Sequence, residues 1–110
     1  MKNLIIDAAT DKILFKIIVD NKSYTSDYPN SRENFDKFAM LLFNFLKENK
    51  IKLKEINNIF INQGPGKFSG IRTSIAIAKG ISITNKLNLY GFDALHVEDQ
   101  NYDKIIDLFN

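Results

Sequence analysis

The segment GPGKFSGIR, Gly64 to Arg72, follows directly on the β-rich run Ile56 to Ile61. Pro65 has a fixed φ and no N–H, so the strand cannot continue through it, and the flanking Gly64 and Gly66 admit backbone conformations closed to other residues. The buried strand therefore ends in a sharp turn, and read as the joint between that strand and a helix the loop belongs to an α/β layered domain. Glycines at such a turn imply that something approaches the backbone closely. The amides at the start of the helix suit a phosphate or carboxylate, with Lys67 or Arg72 adding charge, although a plain strand-to-helix turn explains the same residues.

Upstream, Leu4 to Ile6 is a short apolar run ending in Asp7, Ile13 to Val19 is a second, and Ser23 to Tyr28 alternates polar and larger residues. The turn signals between them predict three antiparallel strands. Pro29 closes the third. Asn30 with Glu33 has the form of a capping box ahead of a helix over Ser31 to Glu48. Phe35, Phe38, Ala39, Leu42 and Leu46 line one face of that helix, while Met40, Leu41, Phe43 and Phe45 fall outside the stripe. One sheet cannot bury all of them. Lys47, Lys50, Lys52 and Lys54 follow, read as a solvated helix C-terminus in preference to an RNA contact.

After the loop, Ile75, Ile77, Ile81 and Ile83 alternate with small residues, which fits a hairpin turning at Lys79 and Gly80. A helix also fits, with Ile71, Ser74, Ile75, Ala78 and Ser82 on one face. Gly80 would then cost about 1 kcal/mol relative to Ala, tolerable where another backbone comes close. Leu87 to Phe92 predicts a last core strand and Tyr102 to Phe109 a short helix.

The 110 residues suit a single domain, and 45% hydrophobic with 25% charged residues is an ordinary globular balance. The net charge of +2 does not describe a dedicated nucleic-acid binder. With no cysteine and only His96 as histidine, thiol chemistry is excluded and a zinc centre is not expected. Asp7 interrupts the first apolar run too early for a signal peptide or membrane span, so the expected location is cytoplasmic. A dinucleotide site built on the glycine loop and Asp93 is disfavoured by Pro65 and by the three antiparallel strands that come first, and a Walker A loop does not match.

GPGKFSGIRTSIAIAKG resembles the GPGSFTGIR…AKG signature of the TsaB family, relatives of the M22 glycopeptidase-like proteins, and MKNLIIDAATDK resembles that family's opening strand and turn. The resemblance implies an ASKHA, RNase H-like half-domain: a five-stranded mixed sheet in the order 3-2-1-4-5, helices on both faces, and a helix over Ile71 to Asn85. Residues 1–110 then form one domain, corresponding to the first of the family's two, with the second absent. The implied function is a non-catalytic accessory subunit that activates a TsaD-like threonylcarbamoyltransferase in threonylcarbamoyladenosine modification of ANN-decoding tRNAs. The alternatives are a small nucleotide-binding domain or enzyme using the Gly64 to Arg72 loop, or a decayed remnant or fragment.

The implied partners are the TsaD-like subunit in a heterodimer, a TsaE-like ATPase indirectly, and tRNA only through the complex, with self-association as a homodimer when alone. No catalytic residue and no metal are expected, no nucleotide is held by the chain alone, and ATP or ADP would sit at the boundary with the partner. The loop residues Gly64, Pro65, Gly66, Lys67, Phe68, Ser69, Gly70 and Arg72 are the expected anion or partner contact. Asp7 and Thr10 form a degenerate phosphate turn, because Ala8 and Ala9 lack the freedom of glycine; Asp7 is expected to satisfy backbone amides there. Met40, Leu41, Phe45, Ile77, Gly80 and Ile81 are the expected partner interface. Lys67 and Ser69 replace the family's commoner Ser and Thr, and Asn34 stands where its first helix often carries His.

Overall fold

The computed structural model describes residues 1–97 and 101–109. Strands β1 (Lys2–Asp7), β2 (Lys12–Val19) and β3 (Lys22–Pro29) form an antiparallel meander, and two helices follow, α1 (Arg32–Asp36) and α2 (Phe38–Glu48). A single 3-10 turn, Leu53–Glu55, leads to β4 (Asn58–Asn62), and the glycine loop leads to α3 (Phe68–Asn85). Strand β5 (Asn88–Phe92), a 3-10 turn at Ala94–His96 and α4 (Asp103–Leu108) complete the order. The sheet runs β3-β2-β1-β4-β5, with β4 parallel to both β1 and β5. This is the expected five-stranded mixed sheet.

Both faces of the central strands are apolar because both are covered. Leu4, Ile6, Ile13, Phe15, Ile17, Ile59 and Ile61 point toward α2 and α3, where they meet Phe38, Leu42, Phe45, Leu46, Ala78 and Ile81. Phe15 anchors this layer, its ring edge-on to Phe38 at 5.4 Å and tilted against Phe45 at 5.8 Å. The opposite face, with Ile5, Leu14, Ile18, Phe60 and Phe92, takes Tyr102 and Ile105 of α4. At the start of the parallel strands Asn3, Asn58 and Asn88 stand in register. Asn58 donates to Asn3 at 2.9 Å and Asn88 donates to Asn58 at 3.0 Å, so a row of amides that would be costly if unpaired satisfies itself across three strands.

Three local expectations need correction. The helix over Ser31 to Glu48 is two helices, broken at Lys37, whose φ of −119° and ψ of 25° leave helical geometry. The cap is Ser31, whose Oγ accepts from Asn34 N at 3.3 Å; the expected Asn30 is engaged elsewhere. The long helix α3 starts at Phe68, so the second half of the glycine segment is already helical. The helical reading of Ile71 to Asn85 holds, and the hairpin at Lys79 and Gly80 does not form.

Candidate functional site

The glycine loop leaves β4 at Asn62, whose buried side chain works in two directions. Its Oδ1 accepts from Gly64 N at 2.8 Å, and its Nδ2 donates to Asp7 Oδ1 at 3.1 Å. Asp7 Oδ1 also accepts from Ala9 N at 3.1 Å, the two-residue turn expected of an aspartate here. Asp7 Oδ2 accepts from the hydroxyl of Tyr102, the residue before α4, at 2.7 Å. Burial, and then the Asp7 charge and hydrogen bond, push the Tyr102 phenol far above its ordinary 10.0, so it stays a proton donor. The carboxylate at the end of β1 thus accepts from three donors of its own chain, and with Thr10, Asn62 and Tyr102 it lines a cavity of about 250 Å³. Thr10, by contrast, is exposed.

Gly64 has a φ of +103°, the conformation its position requires. Lys67 N donates to Ala9 O at 2.8 Å. A Cβ on Gly66 would overlap Ala9 O, and one on Gly70 would overlap Ala8 O and crowd the Asn30 amide. The close approach that the glycines signalled is therefore to the turn between β1 and β2. Asn30 also holds that turn, its Nδ2 donating to Ala8 O at 2.8 Å and Thr10 O at 2.6 Å, which is why it does not cap α1. Pro65, Lys67, Phe68, Ser69 and Arg72 lie on the surface, with the Arg72 guanidinium 5.2 Å from the Phe68 ring centre. Phe68, 70% exposed, depends on that stacking for cover.

Asp93 sits beside the loop, since Ala94 N donates to Gly64 O at 2.8 Å. His96 is exposed and its Nδ1 accepts from Asp93 N at 3.2 Å. Among the described residues no group of three or more His, Cys, Asp or Glu is placed to hold a metal ion. No helix among them is long and apolar enough to cross a membrane.

The expected interface residues divide. Met40 is half-exposed, Leu41 and Ile77 are half-buried, and Gly80 is exposed with nothing within 4 Å of where its Cβ would stand. Phe45 and Ile81 are corrections: both are core residues, at 0% and 8% exposure. The phase of α2 explains the first, because Phe38, Leu42 and Phe45 recur at i, i+4 and i+7 and all face Phe15 and its neighbours. Ile81 follows Ala78 onto the sheet in the same way. The residues that sequence reasoning missed are Phe43, three positions after Met40, and Ile83, three after Gly80 and 80% exposed. Fixing the phase on the buried positions would have found both. Nothing in the sequence signalled the tyrosine that reaches Asp7.

Comparison with known proteins adds a family. The family model described as TsaD, tRNA N6-adenosine threonylcarbamoyltransferase, matches residues 29–101. The tRNA threonylcarbamoyladenosine biosynthesis protein TsaB of Buchnera aphidicola subsp. Schizaphis graminum is 31% identical over 94 residues, covering 86% of this chain and 45% of its own length. TsaB of Escherichia coli K12 is 27% identical over 95 residues, 86% of this chain and 41% of its own. The chain thus spans less than half the length of these curated relatives. Among solved structures, an uncharacterized Pseudomonas aeruginosa protein with similarity to peptidase YeaZ aligns with a TM-score of 0.81 at 17% identity, over 94% of this chain and 48% of that one. Thermus thermophilus RuvC aligns at 0.60 with 9% identity, over 88% and 66%. These two likenesses show the fold, an RNase H-like sheet.

Proposed function

This chain belongs to the tRNA N6-adenosine threonylcarbamoyltransferase (TsaD) family, and from that membership we propose that it serves threonylcarbamoyladenosine modification of tRNA as an accessory subunit and not as the transferase. Its partner in this reading is a TsaD-like subunit, bound through the outer faces of α2 and α3. A TsaE-like ATPase and the tRNA are engaged only through the complex. The chain corresponds to one domain of its two-domain TsaB relatives, and that domain carries the partner surface.

The observation that carries the reading is Gly80. An exposed glycine inside an 18-residue helix gives up about 1 kcal/mol relative to Ala, and no atom of its own chain uses the space. Close packing by another helix would use it, and Met40, Phe43, Ile77 and Ile83 supply apolar surface on the same two helices. The loop supports the same view from the other side. The close approach of Ala9 and Ala8 to Gly66 and Gly70 is accounted for by the chain's own packing, which supports a reading in which ATP or ADP sits at the boundary with the partner.

Complementation of a TsaB-depleted cell tests the proposal, with threonylcarbamoyladenosine in tRNA read by mass spectrometry. The chain is expected to restore the modified base, and Gly80→Glu and Phe43→Asp to lose that rescue while remaining folded. Rescue by both variants, or autonomous ATP turnover by the purified chain, would overturn it.

A further inference from the structure

The end of the sheet opposite the glycine loop carries a second surface. Beyond the C-terminus of α2, Phe43, Leu46, Ile51 and Leu53 form the floor of a cavity of about 380 Å³ whose rim is Lys47, Lys50 and Lys52. No acidic residue lines it. A second cavity of about 480 Å³ adjoins it through Lys50 and Ile51 and adds Lys2, Lys22 and Tyr24, with Asp20 its one acid. Of the lysines lining the two cavities Lys2 is paired with Glu55, and Lys22, Lys47, Lys50 and Lys52 make no ion pair among the described residues.

We propose that these two neighbouring cavities, which share Lys50 and Ile51, dock an acidic peptide segment of another protein, one bulky apolar side chain entering the smaller cavity and flanking carboxylates meeting the lysines. The helix macrodipole accounts for a cation near the last turn of α2, but not for a concave apolar floor beneath three of them. Lys50 lines both cavities and holds a φ of 58°, a left-handed conformation that Gly or Asn adopts at less cost. A side chain kept at that position places its charge where the two cavities meet. Charge complementarity selects an acidic occupant, and the chemistry of the floor selects peptide over RNA. Single-stranded RNA is gripped by aromatic platforms and guanidinium planes, whereas this floor is mainly aliphatic and its cations are all lysine. Phe43 also belongs to the α2 face proposed for the TsaD-like partner, whereas Lys50 does not, so Lys50→Gly is the variant that separates the two readings.

Fluorescence anisotropy of the full chain with a short fluorescein-labelled peptide, a Phe-Leu pair flanked by Asp and Glu, reads the proposal. Saturable binding that weakens with added salt is expected. Lys50→Gly should weaken it about fivefold while leaving the melting temperature unchanged or higher, because glycine relaxes the left-handed backbone. Phe43→Ser should also weaken it, and a peptide with Ser in place of Phe-Leu should not bind. Absence of saturable binding, equal binding by the two variants and the parent chain, or displacement of the peptide by an oligouridine RNA that binds more tightly would overturn the assignment.

Discussion

A Cβ added at Gly66 would overlap the Ala9 carbonyl oxygen, whereas one added at Gly80 meets nothing within 4 Å. The two glycines therefore answer different demands, one from the chain's own packing and one from outside it. Gly66→Ala forces a backbone shift where the loop lies on the turn between β1 and β2, and should destabilise the chain by about 2 kcal/mol or more. Gly80→Ala removes the excess freedom of the unfolded chain at an open helical site and should stabilise it by about 1 kcal/mol. Urea denaturation of the two variants checks both signs, and a destabilised Gly80→Ala would show that the helix already packs against something at that point. At this scale the sequence was half legible. Pro65 between two glycines announced a close backbone approach, but its target, Ala8 and Ala9, lies more than 50 positions earlier and is settled only by the tertiary fold.

Among the elements, strands were readable from apolar runs and turn residues, and their order came with the family signature. Element boundaries were less so. The cap falls to Ser31 because Asn30 is drawn to the carbonyls of Ala8 and Thr10, a contact across 20 residues and more that local pattern does not carry. Helix phase was misjudged for the same kind of reason: α2 is apolar around much of its circumference, so only contact with Phe15 shows that Phe45 is inside and Phe43 outside. Helix α4 is tied to the sheet by Tyr102, and this contact predicts a pH dependence. A phenol whose folded pKa lies above its unfolded value contributes stability that is complete below the unfolded value of about 10 and is lost as pH rises beyond it. Stability of the chain should accordingly fall above about pH 10, and fall less steeply in Tyr102→Phe, which at neutral pH should cost about 1.5–3 kcal/mol through the hydrogen bond lost to Asp7. Parallel alkaline profiles for the two chains would contradict this contact.

For the molecule as a whole, the carboxylate and the loop glycines at the ends of the parallel strands, where α/β folds commonly hold ligands, are contacted by the chain's own Tyr102, Ala8 and Ala9. The outer faces of α2 and α3, by contrast, expose Met40, Phe43 and Ile83 beside the open position at Gly80. The proposed accessory role joins these two facts, and it makes Gly80 a site where isolated stability and association oppose each other. The direct measurement is titration calorimetry of the chain into a purified TsaD-like subunit, comparing the parent with Gly80→Ala and Gly80→Leu. The account predicts a one-to-one complex whose affinity falls from Gly to Ala to Leu, even as the isolated Gly80→Ala chain becomes more stable. No heat of association with the parent chain, or one affinity for all three, would contradict it.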